Sequence, residues 1–371
     1  MDSESDRERW LSRLSEAARL KAEDLYEYDT SGLGDVLGRG RFATVYPGRR
    51  RREKRVVEPG LAVMDRKADS NGILKKHPSF TSFKNLTVQL GKEDYECALK
   101  VIDKDRFWER VRKDRERADS IVRETSVQAA LLASGDIYPG FLRVRSFFET
   151  LDKVILELEL LEGTDLFRYI SSKSSVSEVE AAQIVYDILS CLDALNSLGV
   201  AHRDIKPANI LMAGREDTSG VNVKLGDFGM ATFVGPDKLV RGRCGTPGYV
   251  APEILGAAKN GGYENNVDMF SAGVIMYILL CGYEPFYGES EKDLIDENKK
   301  AKVEYPDDDW EFVSVEGRDL VEKMLERDPS KRIAPSKALQ HPWITRRATK
   351  KILRETPNNA ESQSDYACSI S

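Results

Sequence analysis

Hydrophobic and polar positions change their period several times along the chain. Residues 1–27 set Trp10, Leu11, Leu14, Ala17, Ala18 and Leu25 among charges at helix-like spacing, which predicts an amphipathic helix lying against a neighbouring surface. Short apolar runs at Leu33–Leu37 and Ala43–Tyr46 read as strands. From Pro47 to about Asp94 the pattern breaks down. A basic run (Arg49, Arg50, Arg51, Arg52, Lys54, Arg55) leads there into Pro-, Gly-, Ser- and Lys-rich sequence. Glu96–Ile102 resumes as a strand, Asp103–Leu132 reads as one highly charged helix, and Phe141–Phe148 and Val154–Leu161 read as a strand pair. From Leu166 onward the chain turns helical, with Ile184, Ile188, Leu192 and Leu195 spaced as one buried face. Strands first and helices later is the order of an α+β protein or of two packed domains. No internal repeat is visible.

Composition narrows this picture. At 371 residues the chain can hold about two domains with ample core. Hydrophobic residues make up 41% and charged residues 32%, which reads as soluble and globular. A net charge of −6 argues against nucleic acid as the main partner. The most apolar stretch, Val267–Cys281, is shorter than a bilayer span and contains Asp268 and Ser271, so it reads as a buried core helix and not as a transmembrane segment. Cys97, Cys191, Cys244, Cys281 and Cys368 lie far apart without a C-x-x-C pair, which fits a reducing compartment better than a disulfide framework or zinc site. The polar, acidic N-terminus shows no signal peptide. A cytoplasmic location is expected, with the nucleus also open.

The chemistry concentrates in His202-Arg203-Asp204-Ile205-Lys206-Pro207-Ala208-Asn209, followed by Asp227-Phe228-Gly229. One carboxylate stands beside a lysine, an oxygen ligand follows in the same loop, and a second carboxylate comes a short hairpin later. This set suits transfer of the ATP γ-phosphoryl group to a hydroxyl, a reaction that asks mostly for positioning and charge neutralisation. Asp204 can orient the acceptor hydroxyl and take its proton, and Lys206 can neutralise the moving phosphoryl. Asn209 and Asp227 offer the hard oxygen ligands that Mg²⁺ prefers. Upstream, Leu37-Gly38-Arg39-Gly40-Arg41-Phe42-Ala43-Thr44-Val45 forms a glycine-rich turn whose backbone N–H groups can approach phosphates. A dinucleotide-binding loop would lead directly into a helix, whereas Thr44 and Val45 continue a strand.

With these motifs the chain resembles the eukaryotic protein kinases, over about Leu33 to Ile344 and with one interruption. The resemblance implies a two-lobed fold: a small antiparallel-sheet lobe over 33–161 carrying an inserted loop at 47–94, a hinge near Glu159–Leu161, and a mostly helical lobe over 162–344. A helical extension at 1–32 and a disordered tail at 345–371, basic and then polar, would flank it. The resemblance makes Lys100 in Cys97-Ala98-Leu99-Lys100 the strand lysine, with Glu124 favoured over Glu116 as its partner. It places Leu158 behind the adenine, the backbones of Glu159 and Leu161 at its edge, and Leu37, Val45, Ala98 and Leu211 around its faces. Asp165 would reach the ribose or the peptide. Each of these apolar positions reads equally well as plain core.

Ala251-Pro252-Glu253 would close an activation segment beginning at Asp227, with Glu253 paired to Arg332, and Asp268 would tie down the catalytic loop. Gly245-Thr246-Pro247-Gly248-Tyr249 resembles the platform for the residue after the phosphoacceptor. Lys206 and Thr246 together imply serine/threonine substrates. The stretches Cys244–Glu253, Gly273–Tyr283 and Asp328–Ile333 with His341-Pro342-Trp343-Ile344 are similar to the calcium/calmodulin-dependent kinase group.

The chain also departs from the pattern. Between Thr232 and Thr246 there is no serine, threonine or tyrosine, and Gly242 holds the usual acceptor position, so activity is expected without phosphorylation in that stretch. Ala208 stands where basic-directed kinases often carry glutamate, and Arg168 lies near Asp165, so an arginine preference is not indicated. Gln128 occupies a position that kinases usually fill with an apolar side chain. The insertion reads either as a tolerated surface loop or as a partner- or lipid-docking element. The tail carries Arg346, Arg347, Lys350, Lys351 and Arg354 around Ile352 and Leu353, a region where the group often holds an autoinhibitory helix that calmodulin removes. This tail has few apolar anchors for that partner. Thr349 is a candidate phosphorylation site, and no EF-hand loop is present. The expected function is an ATP- and Mg²⁺-dependent serine/threonine protein kinase in signalling, and the alternative is a nucleotide-binding scaffold with little turnover. Substrate identity and oligomeric state are left open.

Overall fold

The computed structural model describes residues 26–28, 36–50, 96–133, 139–161, 163–173, 175–213 and 223–348. Residues 1–25 of the expected helix over 1–27, residues 33–35 of the expected strand Leu33–Leu37, residues 51–94 of the expected insertion over 47–94 and the tail from Thr349 lie outside the described residues. The chain divides into two compact units, Met1–Glu162 and Gly163–Ser371.

The first unit is built on a six-stranded antiparallel sheet with the order β1-β3-β4-β6-β5 and β2 paired to β3. Its strands are β1 (Tyr26–Glu27), β2 (Gly38–Arg39), β3 (Ala43–Arg50), β4 (Glu96–Asp103), β5 (Val144–Glu149) and β6 (Lys153–Glu159). Two expectations change here. Tyr26 and Glu27, assigned to a helix by spacing, form a strand against Arg49 and Arg50. Tyr26 is buried, its hydroxyl donates to Glu157 Oε2 at 2.6 Å, and its ring stacks on Phe148 with centroids 5.5 Å apart. Tertiary burial outweighs local period in so short a segment. The insertion also begins later than Pro47, because β3 continues to Arg50. Val45 O accepts from Leu37 N at 2.9 Å, so Pro47, two residues on, turns its nitrogen to the same side. Among the described residues no strand is paired there, between the stretches matched to β2 and β1, and the missing N–H breaks no ladder bond among them.

The charged run after β4 is two helices, α1 (Lys104–Arg112) and α2 (Ser120–Ala133). The break carries Asp114 in the left-handed region at φ 55°. Asp103 caps α1 by accepting from Arg106 N at 2.9 Å. Phe107 is the one buried residue of α1, whereas α2 buries Glu124, Val127, Gln128 and Leu131 along one face.

The second unit is mostly helical. Its elements are α3 (Leu166–Ser172), α4 (Glu178–Ser197), α5 (Pro252–Asn260), α6 (Val267–Cys281), α7 (Glu291–Lys300), α8 (Asp307–Trp310), α9 (Val315–Met324), α10 (Pro335–Ala338) and α11 (Pro342–Arg347). Between α4 and α5 lie β7 (Val200–Ala201), β8 (Ile210–Met212), β9 (Val223–Leu225) and β10 (Thr232–Phe233). These short strands pair as β8 with β9 and β10 with β7. Ile184, Ile188, Leu192 and Leu195 of α4 are buried together, as their spacing requires. The α6 helix is apolar all round and buried from Val267 to Leu279. Among the described residues no helix is long and apolar enough to cross a membrane. The fold also runs past the expected boundary at Ile344, since α11 reaches Arg347. Arg346 and Arg347 pair there with Glu316 at 2.6 Å and Glu178 at 2.8 Å.

Candidate active site

In the first unit the glycine-rich turn closes with Gly40 N donating to Ala43 O at 2.8 Å, and Gly38 and Arg39 pair with Val45 and Thr44. Ala43 is not in the left-handed region, so its methyl group meets no backbone penalty where a glycine was anticipated. Phe42 is buried edge-on against Phe107 at 5.2 Å, and Arg41 pairs with Glu116 at 2.9 Å. Glu116, the weighed alternative partner for Lys100, is thus engaged by the turn instead. Lys100 Nζ donates to Glu124 Oε1 at 2.5 Å, joining β4 to α2. Ala98 and Leu158 stand opposite each other in register and are both buried, which suits a small apolar wall. Glu159 N donates to Arg143 O at 2.9 Å, Leu161 follows the end of β6, and Leu37 is half exposed.

In the second unit the catalytic loop hangs from α6. Asp268, in the first turn of that helix, accepts from His202 N at 2.7 Å and Arg203 N at 2.8 Å. Burial pushes the Asp268 carboxyl above the usual range, and the two backbone donors together with the neighbouring His202 and Arg203 only partly offset this. Asp204 sits at the centre of a side-chain network. Its Oδ1 accepts from Thr246 Oγ1 at 2.6 Å, and its Oδ2 accepts from Lys206 Nζ at 2.8 Å and Asn209 Nδ2 at 3.1 Å. Lys206 also donates to Thr246 Oγ1 at 2.9 Å, which takes two of its three N–H groups. A carboxylate offers about four acceptor sites, so Asp204 retains capacity for a further donor.

Asn209 fixes its own amide orientation, because Nδ2 donates to both Asp204 O at 2.8 Å and Asp204 Oδ2. Its Oδ1 is thereby assigned as an oxygen donor. Asp227, at φ 52°, opens the next turn and accepts from Gly229 N at 3.4 Å. A carboxylate and an oriented amide oxygen fit Mg²⁺, which uses few protein ligands and completes its shell with water and phosphate. Leu211 lies on β8 and forms an isolated bridge to Asp165, and the Asp165 carboxylate caps α3 by accepting from Arg168 N at 2.9 Å.

Phe228 is fully buried edge-on against His202, with centroids 4.9 Å apart, and His202 Nε2 lies 3.0 Å from Gly226 O. Backbone carbonyls and one tyrosine hydroxyl hold the segment after it. Arg203 Nε donates to Met230 O at 2.8 Å, and its Nη1 donates to Arg241 O at 3.0 Å and meets the Tyr263 hydroxyl at 3.5 Å. That hydroxyl donates to Gly242 O at 2.9 Å, while Val240 and Tyr263 exchange backbone bonds at 2.7 and 3.0 Å. Gly242 itself has φ 93°, a conformation that disfavours any side chain there. Ser271 Oγ donates to Tyr249 O at 2.8 Å. Glu253 and Arg332 form a two-pronged pair at 2.6 and 3.0 Å with the arginine side chain fully buried. Sequence reading did not single out Tyr263, which lies well downstream of the arginine it serves.

A family profile described as the protein kinase domain matches residues 86–344. The chain is 40% identical over 207 residues to myosin light chain kinase A of Dictyostelium discoideum, covering 56% of this chain and 68% of that protein. It is 39% identical over 220 residues to calcium/calmodulin-dependent protein kinase type IV of Homo sapiens, covering 59% of this chain and 46% of the relative. Calcium-dependent protein kinase 29 of Arabidopsis thaliana is 40% identical over 207 residues, covering 56% of this chain and 38% of the relative.

Proposed function

The chain belongs to the protein kinase family as a serine/threonine kinase of the calcium/calmodulin-dependent group, and we propose that Asp204 is the residue that orients its acceptor hydroxyl. The reaction moves the γ-phosphoryl of ATP to a protein hydroxyl. The acceptor oxygen–phosphorus bond forms, the bond to the ADP oxygen breaks, and the hydroxyl proton passes to Asp204. Three donors, from Lys206, Asn209 and Thr246, fix the Asp204 carboxylate, and this observation carries the assignment. Lys206 brings its remaining N–H to the moving phosphoryl, and Lys100, held by Glu124, neutralises the α/β-phosphates. Asn209 and Asp227 would hold Mg²⁺, which would supply charge screening at the phosphate oxygens. Within the first unit the glycine-rich turn from Leu37 to Val45 is assigned to the phosphates, and Ala98, Glu159 and Leu161 to the adenine.

The test is Asp204→Asn, assayed for peptide phosphorylation with saturating MgATP. Turnover should fall by roughly 10²–10⁴ while nucleotide affinity holds. Undiminished phosphotransfer would sink the assignment. Every catalytic position is filled, so the scaffold alternative finds no support.

Ordering of the segment from Thr232 to Thr246 does not depend on a phosphate in this reading, because backbone carbonyls and Tyr263 already occupy Arg203. Phosphatase treatment of the purified chain should leave its activity within about twofold. Loss of activity that maps to a site in that stretch would contradict this. Calmodulin recognition would draw on residues beyond Ala348, since Arg346 and Arg347 already pair with Glu316 and Glu178. Activity measured with and without calcium and calmodulin decides that point.

A further inference from the structure

The α7 helix has a single buried residue, and it is polar: Asn298 has no exposed surface at all. A buried amide is costly unless both its ends are paired. Here both are paired, and with one short loop. Asn298 Oδ1 accepts from Gly248 N at 3.1 Å, and its Nδ2 donates to Val250 O at 2.9 Å. Only this amide orientation satisfies both partners. The two anchored groups bracket Tyr249, whose N donates to Thr246 O at 3.1 Å and so closes the turn that begins at Thr246. Thr246 in turn donates to Asp204 Oδ1 at 2.6 Å. A continuous chain of bonds thus runs from the α7 amide, through the loop backbone, to the catalytic carboxylate. Gly248 has φ 87°, so the loop has no intrinsic preference for this shape and needs an external hold.

We propose that Asn298 is a positioning residue for the protein substrate: it clamps the Gly248–Val250 loop in the shape that receives the residue after the phosphoacceptor. The proposal rests on the reading of Gly245–Tyr249 as that platform. Ser271 holds Tyr249 O from α6, and Asn298 supplies the backbone pairing on either side of it. The amide's own two bonds end on the backbone of Gly248 and Val250, several steps from Lys206 and Asn209, so its loss should weaken peptide recognition well before nucleotide handling.

The experiment uses the full chain and a set of serine peptides differing only at the residue after the phosphoacceptor. Asn298→Leu removes both bonds. Asn298→Asp keeps the acceptor for Gly248 N and cannot donate to Val250 O. Peptide KM, ATP KM, peptide-independent ATP hydrolysis and Tm are measured for each. Asn298→Leu should raise peptide KM about tenfold and flatten discrimination among the peptides. ATP KM and peptide-independent hydrolysis should stay within about twofold, and Asn298→Asp should fall between wild type and Asn298→Leu. A variant that discriminates the peptides as the wild type does overturns the clamp. So does an equal loss of the peptide and nucleotide parameters. If instead the wild type itself shows no dependence on that peptide position, the platform reading fails, and the proposal falls with it for a separately visible reason.

Discussion

Lys100 in the first unit and Asp204 in the second are both held by ionic hydrogen bonds, yet their supports differ in kind. Lys100 meets Glu124, which rides on α2, a helix that buries five of its fourteen residues and is preceded by an irregular charged turn. Asp204 sits in a loop hung from α6, which buries thirteen of its fifteen residues, and is gripped by three side chains besides. A side chain placed by a half-packed helix can be displaced while its unit stays folded. One placed by the most buried helix cannot be moved without disturbing the core. A change that undoes the helix support of the catalytic residue should therefore take activity and stability together in the second unit, and separate them in the first.

The largest effect tests the second unit. Asp268→Ala leaves the N–H groups of His202 and Arg203 buried without acceptors, each costing about 1–3 kcal/mol. Urea unfolding should show a loss of about 2–6 kcal/mol, with activity falling in step with the folded fraction. An unchanged midpoint with lost activity would break the comparison on this side. Next comes Glu124→Gln, which removes the charge facing Lys100 but keeps an amide of similar size in the same place. Misplacing Lys100 should cost roughly 10²-fold in kcat/KM, while the chain stays folded at assay temperature. If the variant instead unfolds before it loses activity, α2 is as firmly built in as α6, and the contrast between the units disappears.

These supports were not equally legible in the sequence. The catalytic loop could be read because its geometry is local: Asn209 reaches back within the same loop to the Asp204 carbonyl, and the spacing alone allows that. The buried character of α6 was likewise visible in an unbroken apolar run. Tyr26 was not legible, since three residues carry no period and its partner Glu157 lies 131 positions away. Tyr263 and Arg203 are separated by 60 positions, and Asn298 and Gly248 by 50. No local spacing marks such pairs. The break between α1 and α2 was hidden because neither glycine nor proline signals it, and Asp114 takes the left-handed turn itself. Pro47 misled in the opposite sense. It is a strand breaker only where an N–H is required, and among the described residues nothing pairs with that side of β3 at Pro47.

The smallest expected effect asks whether the firm packing of the second unit reaches its C-terminal end. Glu178 opens α4 and gathers that end: its carboxylate accepts from Ser314 N at 2.6 Å, Ser314 Oγ at 2.8 Å and Trp343 Nε1 at 3.0 Å, and it pairs with Arg347 at 2.8 Å. Burial acts to raise its pKa, but these donors and the Arg347 charge outweigh that and hold the carboxyl below its ordinary value of 4.5. A carboxyl with a depressed folded pKa contributes stability at pH values above the unfolded one, and that contribution is lost as pH falls through the folded pKa. Glu178→Gln cannot titrate, so its Tm should lie below that of the wild type at neutral pH. The gap should narrow below about pH 4.5, where the wild-type carboxyl takes up its proton. Parallel Tm curves from pH 3 to pH 7 would mean that the charge on Glu178 contributes nothing to holding α11 in place, and that the tightly built part of the second unit stops short of Trp343.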